Sequence, residues 1–87
     1  MNEMKEHKKE ILEKHCYTAL VYDRINKKLG ANYSKKESEI LIEKILKETT
    51  IENYEKRGKN FYITNNQHKI RITVNSNTFR IITVDTI

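Results

Sequence analysis

Apolar residues recur every three or four positions over the first third of the chain. The stripe consists of Leu12, Cys16, Ala19, Tyr22, Ile25 and Leu29. This spacing predicts an amphipathic helical segment over about residues 3–29, ending at Gly30, because a helix repeats every 3.6 residues. Thr18 can cap a restarted helix, so we expect a kink or break near residues 16–18.

A second helix has a clear start signal. Ser34 precedes Glu37 by three residues, which is the spacing of a capping box, and Leu41, Ile42, Ile45 and Leu46 then supply a buried face. We expect this helix to end near Thr49. Residues 50–58 are interpreted as a short third turn of helix, with Thr50 as its cap and Gly58 as its stop.

From Lys59 onward the apolar period changes from helical to two. Residues 59–64, 68–75 and 78–85 predict three strands joined by Asn-rich turns, because Asn tolerates left-handed backbone and bonds its own turn. The sequence therefore predicts one α+β domain over 1–87. Two to three N-terminal helices (about 3–57) pack on one face of a three-stranded antiparallel meander (about 59–86).

Assumed turns assign side chains to the two faces of this sheet. A two-residue loop at 76–77 pairs Ile72 with Ile81, and a four-residue loop at 65–68 pairs Phe61 with Ile72. Both place one apolar set on the inner face: Phe61, Ile63, Ile70, Ile72, Val74, Phe79 and Ile81. The outer face receives three rows: Asn60, Thr73 and Arg80; Tyr62, Arg71 and Ile82; Thr64, Lys69 and Val84.

Lys69, Arg71 and Arg80 thus fall on the outer face. Residues 58–87 carry four Lys or Arg against Asp85 alone, whereas residues 1–57 carry 13 Lys or Arg against 11 Asp or Glu. No carboxylate is expected on the outer face, and an aromatic ring, Tyr62, is expected beside Arg71. Cations around an aromatic ring suit unstacked bases and phosphates. The ordinary solvated face of an antiparallel sheet explains the same cations equally well, and both interpretations stay open.

Several functional classes are disfavoured by the composition. No apolar run approaches the about 20 residues that cross a bilayer, so we expect no membrane partner. The single cysteine, Cys16, cannot form an internal disulfide, which favours a cytoplasmic location. Scattered histidines and the absence of phosphate-binding or zinc motifs predict no metal and no cofactor.

A catalytic interpretation of the outer face rests on His68 and Arg71. In the assumed register His68 lies across from Asp85, where a carboxylate-oriented imidazole could act as a general base while Arg71 stabilises developing negative charge. Such an arrangement would suit a metal-independent ribonuclease. A solvated histidine in a polar turn is the simpler interpretation, and both stay open.

Two functional hypotheses follow from the residues. The first is binding of RNA or single-stranded nucleic acid by the outer face, through Tyr62, Lys69, Arg71, Thr73 and Arg80. The alternative is a protein-interaction module, either a homodimer or a small host or phage regulator, that uses the same face or its edge strands. Ile82 and Val84 motivate that alternative, since apolar residues beside Arg and Tyr also suit protein interfaces.

Residues 16–30, 58–64 and 70–85 carry a resemblance to a known family. The chain resembles short bacterial proteins of a family of unknown function (DUF3781-like) over nearly all of residues 10–87, and this resemblance implies no activity. The order of helices and basic sheet is also distantly similar in architecture to the barnase, colicin and RelE-type ribonucleases. That similarity would imply His68, Arg71, Thr73 and Arg80 as site residues.

Overall fold

Three helices followed by one antiparallel sheet make up the computed structural model, which describes residues 3–87. The elements are α1 (Glu3–Lys14), α2 (Ala19–Leu29), α3 (Lys35–Glu48), a 3₁₀ turn (Ile51–Asn53), β1 (Tyr54–Arg57), β2 (Asn60–Asn65), β3 (Ile70–Asn75) and β4 (Ile81–Thr86). The strands lie in chain order, β1-β2-β3-β4, and each pairs antiparallel with the next. The α+β class is confirmed, with four strands instead of three.

The predicted break between the first two helices has a structural role. Residues 15–18 are not helical, and Cys16 forms a parallel bridge to Arg80 beside β4. The N–H of Cys16 donates to the carbonyl of Phe79, and the N–H of Ile81 donates to the carbonyl of Cys16, both at 2.9 Å. Cys16 is therefore exposed at the edge of the sheet and does not continue the helical stripe.

α3 begins as the sequence predicts. The Ser34 hydroxyl accepts from the N–H of Glu37 at 3.1 Å, and the Glu37 carboxylate accepts from the N–H of Ser34 at 2.9 Å. These hydrogen bonds lower the pKa of Glu37, because they stabilise its ionised form. Ile42, Ile45 and Leu46 are fully buried, and α3 ends at Glu48 with Thr49 as its C-cap.

The expected helical turn over 50–58 is wrong for most of its length. Only Ile51–Asn53 forms a 3₁₀ turn, and Tyr54–Arg57 is a strand paired with β2. Gly58 has a positive φ of 58°, but it opens the turn of the β1–β2 hairpin and does not stop a helix. Tyr54 anchors β1, since its hydroxyl donates to the carbonyl of Leu46 and its ring is buried.

The strand registers differ from the assumed ones. In the β2–β3 pair Phe61 lies opposite Val74, not Ile72, which is a shift of two residues and so leaves every side chain on its expected face. In the β3–β4 pair Ile72 lies opposite Val84, not Ile81, and the register shifts between Thr73 and Val74. This bulge matters because one extra residue in β4 reverses the alternation beyond it.

The bulge lets both halves of β4 contribute to the core. Ile81 lies opposite Val74 and Val84 lies opposite Ile72, and all four side chains are buried. Val84 was expected on the outer face, so that expectation is wrong. Asp85 occupies the outer face instead, opposite Arg71.

The core lies between the helices and the inner face of the sheet. Its members from the sheet are Tyr54, Phe61, Ile63, Ile70, Ile72, Val74, Ile81 and Val84, and its helical members are Ile11, Val21, Ile25, Ile42, Ile45 and Leu46. Every apolar residue predicted for the inner face belongs to this cluster, apart from Phe79, which packs against it half-buried. The helices therefore cover one face of the sheet and leave the opposite face uncovered.

Candidate nucleic-acid interface on the outer sheet face

The outer face is defined here as the sheet surface opposite the core. Its residues are Glu55, Arg57, Asn60, Tyr62, Thr64, Arg71, Thr73, Asn75, Thr83 and Asp85. Register places Glu55, Tyr62, Thr73 and Thr83 in one row, and Thr64, Arg71 and Asp85 in the next. Two carboxylates thus share the face with two arginines, so the expectation of a face without carboxylates is wrong.

The aromatic ring of this face stacks with a cation that the sequence had not placed there. The guanidinium carbon of Arg57 lies 4.8 Å from the centroid of the Tyr62 ring. Arg57 is held at 3.5 Å from the Glu55 carboxylate, and both side chains are more than half exposed. The guanidinium therefore covers the ring and presents a flat, solvent-facing plane of its own, which is a geometry that can stack on a base.

Arg71 lies on the outer face as predicted, but its neighbours differ. Its Nε donates to the hydroxyl of Thr64 at 3.1 Å. Asp85 lies opposite Arg71 in register, yet its carboxylate binds Lys28 of α2 at 2.9 Å. Within residues 3–87 Arg71 forms no ion pair, so its charge is available to an external anion.

Thr73 lies between Tyr62 and Thr83 in register and is only 5% exposed. Its side chain is on the expected face, but it has little surface to offer to a ligand. Lys69 is exposed in the β2–β3 turn with a φ of 56°, immediately before β3 begins, and not within the sheet row assumed for it.

Arg80 also lies away from the predicted site. It is exposed beside the Cys16 bridge, where it borders a small pocket shared with Arg24 and Leu20 of α2. The structure therefore brings Tyr62, Thr73 and Arg71 together in adjacent rows. It places Lys69 and Arg80 at other borders of the sheet.

His68 is oriented by a carboxylate, but not by the one that was expected. Its Nε2 lies 2.9 Å from an oxygen of Glu48 at the end of α3, and its backbone N–H donates to the side chain of Asn65 at 2.8 Å. Asp85 is paired in register with Arg71, so the assumed His68–Asp85 arrangement is wrong. Because Glu48 belongs to the helical layer, the imidazole is bound toward that layer, whereas Arg71 faces outward.

Charge along the outer face changes sign from one end of β1 to the other. Glu52 and Glu55 border a depression that also includes Tyr62 and Thr64. Hydrogen bonds from its own backbone N–H and from Thr50 lower the pKa of Glu52, so this end stays anionic at neutral pH. A phosphate would therefore be disfavoured near Glu52 and favoured toward the β1–β2 turn.

The β1–β2 turn supplies cations that the sequence interpretation missed. Lys56, Arg57 and Lys59 are all exposed around Gly58, and Arg57 lies over the Tyr62 ring, whereas Lys56 lies opposite Phe61 in register. Residues 50–58 had been assigned to a helix, so Lys56 and Arg57 were not considered part of the sheet, whereas Lys59 already began the first predicted strand. The sequence did contain a signal for this hairpin. A Gly-Lys pair lies between two segments that each contain an aromatic residue, and Gly at the first position suits a two-residue hairpin turn.

Neither a metal site nor a membrane span is found in the part of the chain that the structure describes. Residues 3–87 contain no group of three or more His, Cys, Asp or Glu side chains arranged to hold a metal ion. No helix in the same range is long and apolar enough to cross a bilayer.

Comparison with known proteins assigns a family but no activity. Residues 9–85 match the family described as protein of unknown function DUF3781, and the chain belongs to that family. No curated protein matches the chain, and no solved structure matches it.

Proposed function

We propose that this DUF3781 chain binds RNA or single-stranded nucleic acid through the outer sheet face and the adjoining β1–β2 turn. The observation that carries the proposal is the Arg57 guanidinium stacked 4.8 Å from the Tyr62 ring on a sheet face that lies opposite the core. Arg and aromatic planes stack on every base, so such a site suits unpaired strands with little sequence preference.

The distribution of charge indicates where the phosphates and the bases of a bound strand would lie. Phosphates would lie near Arg57 and Lys59 at the turn and near Arg71 on β3, which forms no ion pair within residues 3–87, since Asp85 opposite it binds Lys28. A base would stack on the exposed plane of the Arg57 guanidinium, whose other side lies on the Tyr62 ring. A duplex fits less well, because a flat sheet face does not enter the major groove as a helix does.

Fluorescence-anisotropy titration of labelled mixed-sequence single-stranded RNA and DNA tests this function. The titrations use the parent protein and the variants Tyr62→Ala, Arg57→Gln and Arg71→Gln. Tyr62→Ala removes the ring that holds the Arg57 guanidinium in its stacking position and should weaken binding by about fivefold to a hundredfold, since a stacked base contributes about 1–3 kcal/mol. Raising the salt from about 50 to about 200 mM should weaken binding of the parent protein, because bound phosphates release counterions.

Lys44→Gln on α3 is the matched control, because Lys44 is exposed on the helical layer and the substitution removes the same charge as Arg57→Gln. It should bind like the parent protein. Equal losses of affinity in Lys44→Gln and Arg57→Gln would mean that the nucleic acid does not bind at the outer face. Binding that does not depend on salt would contradict a phosphate contact.

Ribonuclease activity is a narrower form of the same proposal, with His68 as general base. Because His68 binds Glu48 of the helical layer while Arg71 faces outward, this form requires the imidazole to turn away from Glu48 before it acts beside Arg71. Electrophoresis of the RNA after each titration tests it directly. His68→Ala should abolish cleavage if the imidazole acts on the substrate. RNA that stays intact with the parent protein, or is cut equally by the variant, would rule this form out.

A protein-interaction module is the second candidate, and one observation favours it. β1 is the outermost strand at its side of the sheet, and Glu55, Lys56 and Arg57 are exposed there. An open strand edge can pair with a strand of a second copy or of another protein. Light scattering over a wide concentration range would detect the homodimer, and a monomer at every concentration would contradict that form.

A further inference from the structure

A second surface, at the junction of α2 and β4, has its own chemistry. We call it the α2–β4 groove and define it by Leu20, Arg24 and Lys27 of α2 with Arg80 and Ile82 of the β4 segment. The narrow part of the groove, between Leu20, Arg24, Arg80 and Ile82, has a volume of about 180 Å³. It lies beyond the β4 edge of the sheet and does not include Arg57 or Tyr62.

The floor of the groove is apolar. Leu20 is 74% exposed in the first turn of α2, next to Val21, which is buried in the core. Ile82 is the additional residue at the β4 bulge and is half-buried. A single exposed leucine is ordinary on a protein surface. Here, however, two large aliphatic side chains line the same concave site.

The rim of the groove is cationic. Arg24 donates from Nη1 to the carbonyl of Ile82 at 2.9 Å, which fixes its guanidinium at the rim and leaves other N–H groups for a ligand. Lys27 and Arg80 form no ion pair within residues 3–87, and Lys28 is bound to Asp85. Asp23 is the acidic residue on this stretch of α2, so positive charge predominates.

The groove is built on rigid elements. Two backbone hydrogen bonds attach Cys16 to Phe79 and Ile81, and Val21 and Ile25 of α2 are buried against the core. The backbone that carries the walls is therefore fixed before a ligand arrives, which reduces the entropic cost of binding.

From these contacts we infer that the α2–β4 groove binds a short acidic peptide segment of a partner protein, with one apolar side chain seated between Leu20 and Ile82. The peptide carboxylates would lie against Arg24, Arg80 and Lys27. A second copy of this chain that binds through the same groove is a poor occupant, because it would bring like charges together. Nucleic acid is disfavoured because the centre of the groove is aliphatic and offers no aromatic ring for stacking.

Selection from a random-peptide display library against the immobilised full chain tests this inference. Enriched peptides should carry Asp or Glu residues flanking a large apolar residue. An enriched peptide, synthesised with a fluorescent label, should lose at least about fivefold in affinity for Arg80→Glu and for Leu20→Ser, as expected when a contacting side chain is an interface hot spot.

Controls separate this groove from the outer sheet face. Lys44→Glu makes the same charge change as Arg80→Glu on the exposed side of α3 and should bind the peptide like the parent protein, as should Arg57→Gln. Mixed-sequence RNA should not displace the peptide. Circular dichroism confirms that each variant is folded before it is titrated.

Three results would overturn the inference. The first is a selection that yields no binding peptides or peptides without acidic residues. The second is equal affinity of the selected peptide for the parent protein, Arg80→Glu and Leu20→Ser. The third is displacement of the peptide by RNA, which would make the groove part of a nucleic-acid surface.

Discussion

Ile72 and Thr73 are neighbours in β3 and are both buried, but they lie on opposite faces of the sheet. Ile72 is fully buried in the core beneath the helices, whereas Thr73 is 5% exposed between Tyr62 and Thr83 on the outer face. The inner face is thus fixed by contacts with another layer, and the outer face by contacts within the sheet. A face of the second kind can bind a ligand without dismantling the core.

The largest expected difference between the two faces is in how much stability is lost when a buried side chain is shortened. Ile72→Ala should lower the free energy of unfolding by about 2–5 kcal/mol, because it leaves a cavity between the two layers. Thr73→Ala should cost no more than about 1 kcal/mol, which is the range of strand propensities. Urea unfolding of both variants measures the difference. Equal losses would mean that the outer face is as tightly constrained as the core.

A polar residue on the inner face sharpens the comparison. Asn65 is buried, donates to the Thr49 hydroxyl at 3.0 Å and accepts from the N–H of His68 at 2.8 Å. Asn65→Ala should lower the free energy of unfolding by about 1–3 kcal/mol, since buried partners lose their hydrogen bonds. The exposed neighbour Asn66→Ala is the control and should change stability little. If both substitutions lowered the free energy of unfolding equally, the loss would come from a change in the turn and not from the buried hydrogen bonds.

The smallest effect is expected for the ion pair at the border of the outer face. Lys28 and Asp85 are each nearly half exposed, so solvent screens their attraction. Lys28→Ala should lower the free energy of unfolding by less than about 1 kcal/mol, and high salt should reduce the difference further. Lys27→Ala, which removes the adjacent lysine, is the control in thermal unfolding. A large, salt-resistant loss would show that this pair contributes to the core.

α3 and the inner face were predictable because their signals are local, whereas of the apolar stripe assigned to the first helical segment only Ile25 is buried. Ser34 and Glu37 mark a helix start by their spacing alone, and the alternation of Phe61 with Ile63 assigns a face whichever loop joins the strands. An error of two residues in the assumed β2–β3 register did not change which face these side chains occupy. These features follow from hydrogen bonding and burial that neighbouring residues determine between themselves.

The outer face was less predictable, for two physical reasons. β1 is short and, after Tyr54, consists of charged residues, so strand propensity gave no signal for it. The bulge in β4 depends on contacts with β3 and the core, and no residue type marks it. Two turns also use left-handed backbone at Lys69 and Phe79, whereas Asn65 and Asn75 stabilise those turns with their side chains.

The bridge between Cys16 and Arg80 has a consequence for the order of folding. The three hairpins of the sheet join residues that are close in the chain, so they can form with little loss of loop entropy. The bridge instead joins positions near opposite ends of the chain. It can form only after both segments have been synthesised and have come together. Until then the backbone of β4 is open along one side, which exposes it to pairing with other chains. We therefore expect the interval before this closure to be the time when the newly made protein is most prone to aggregate.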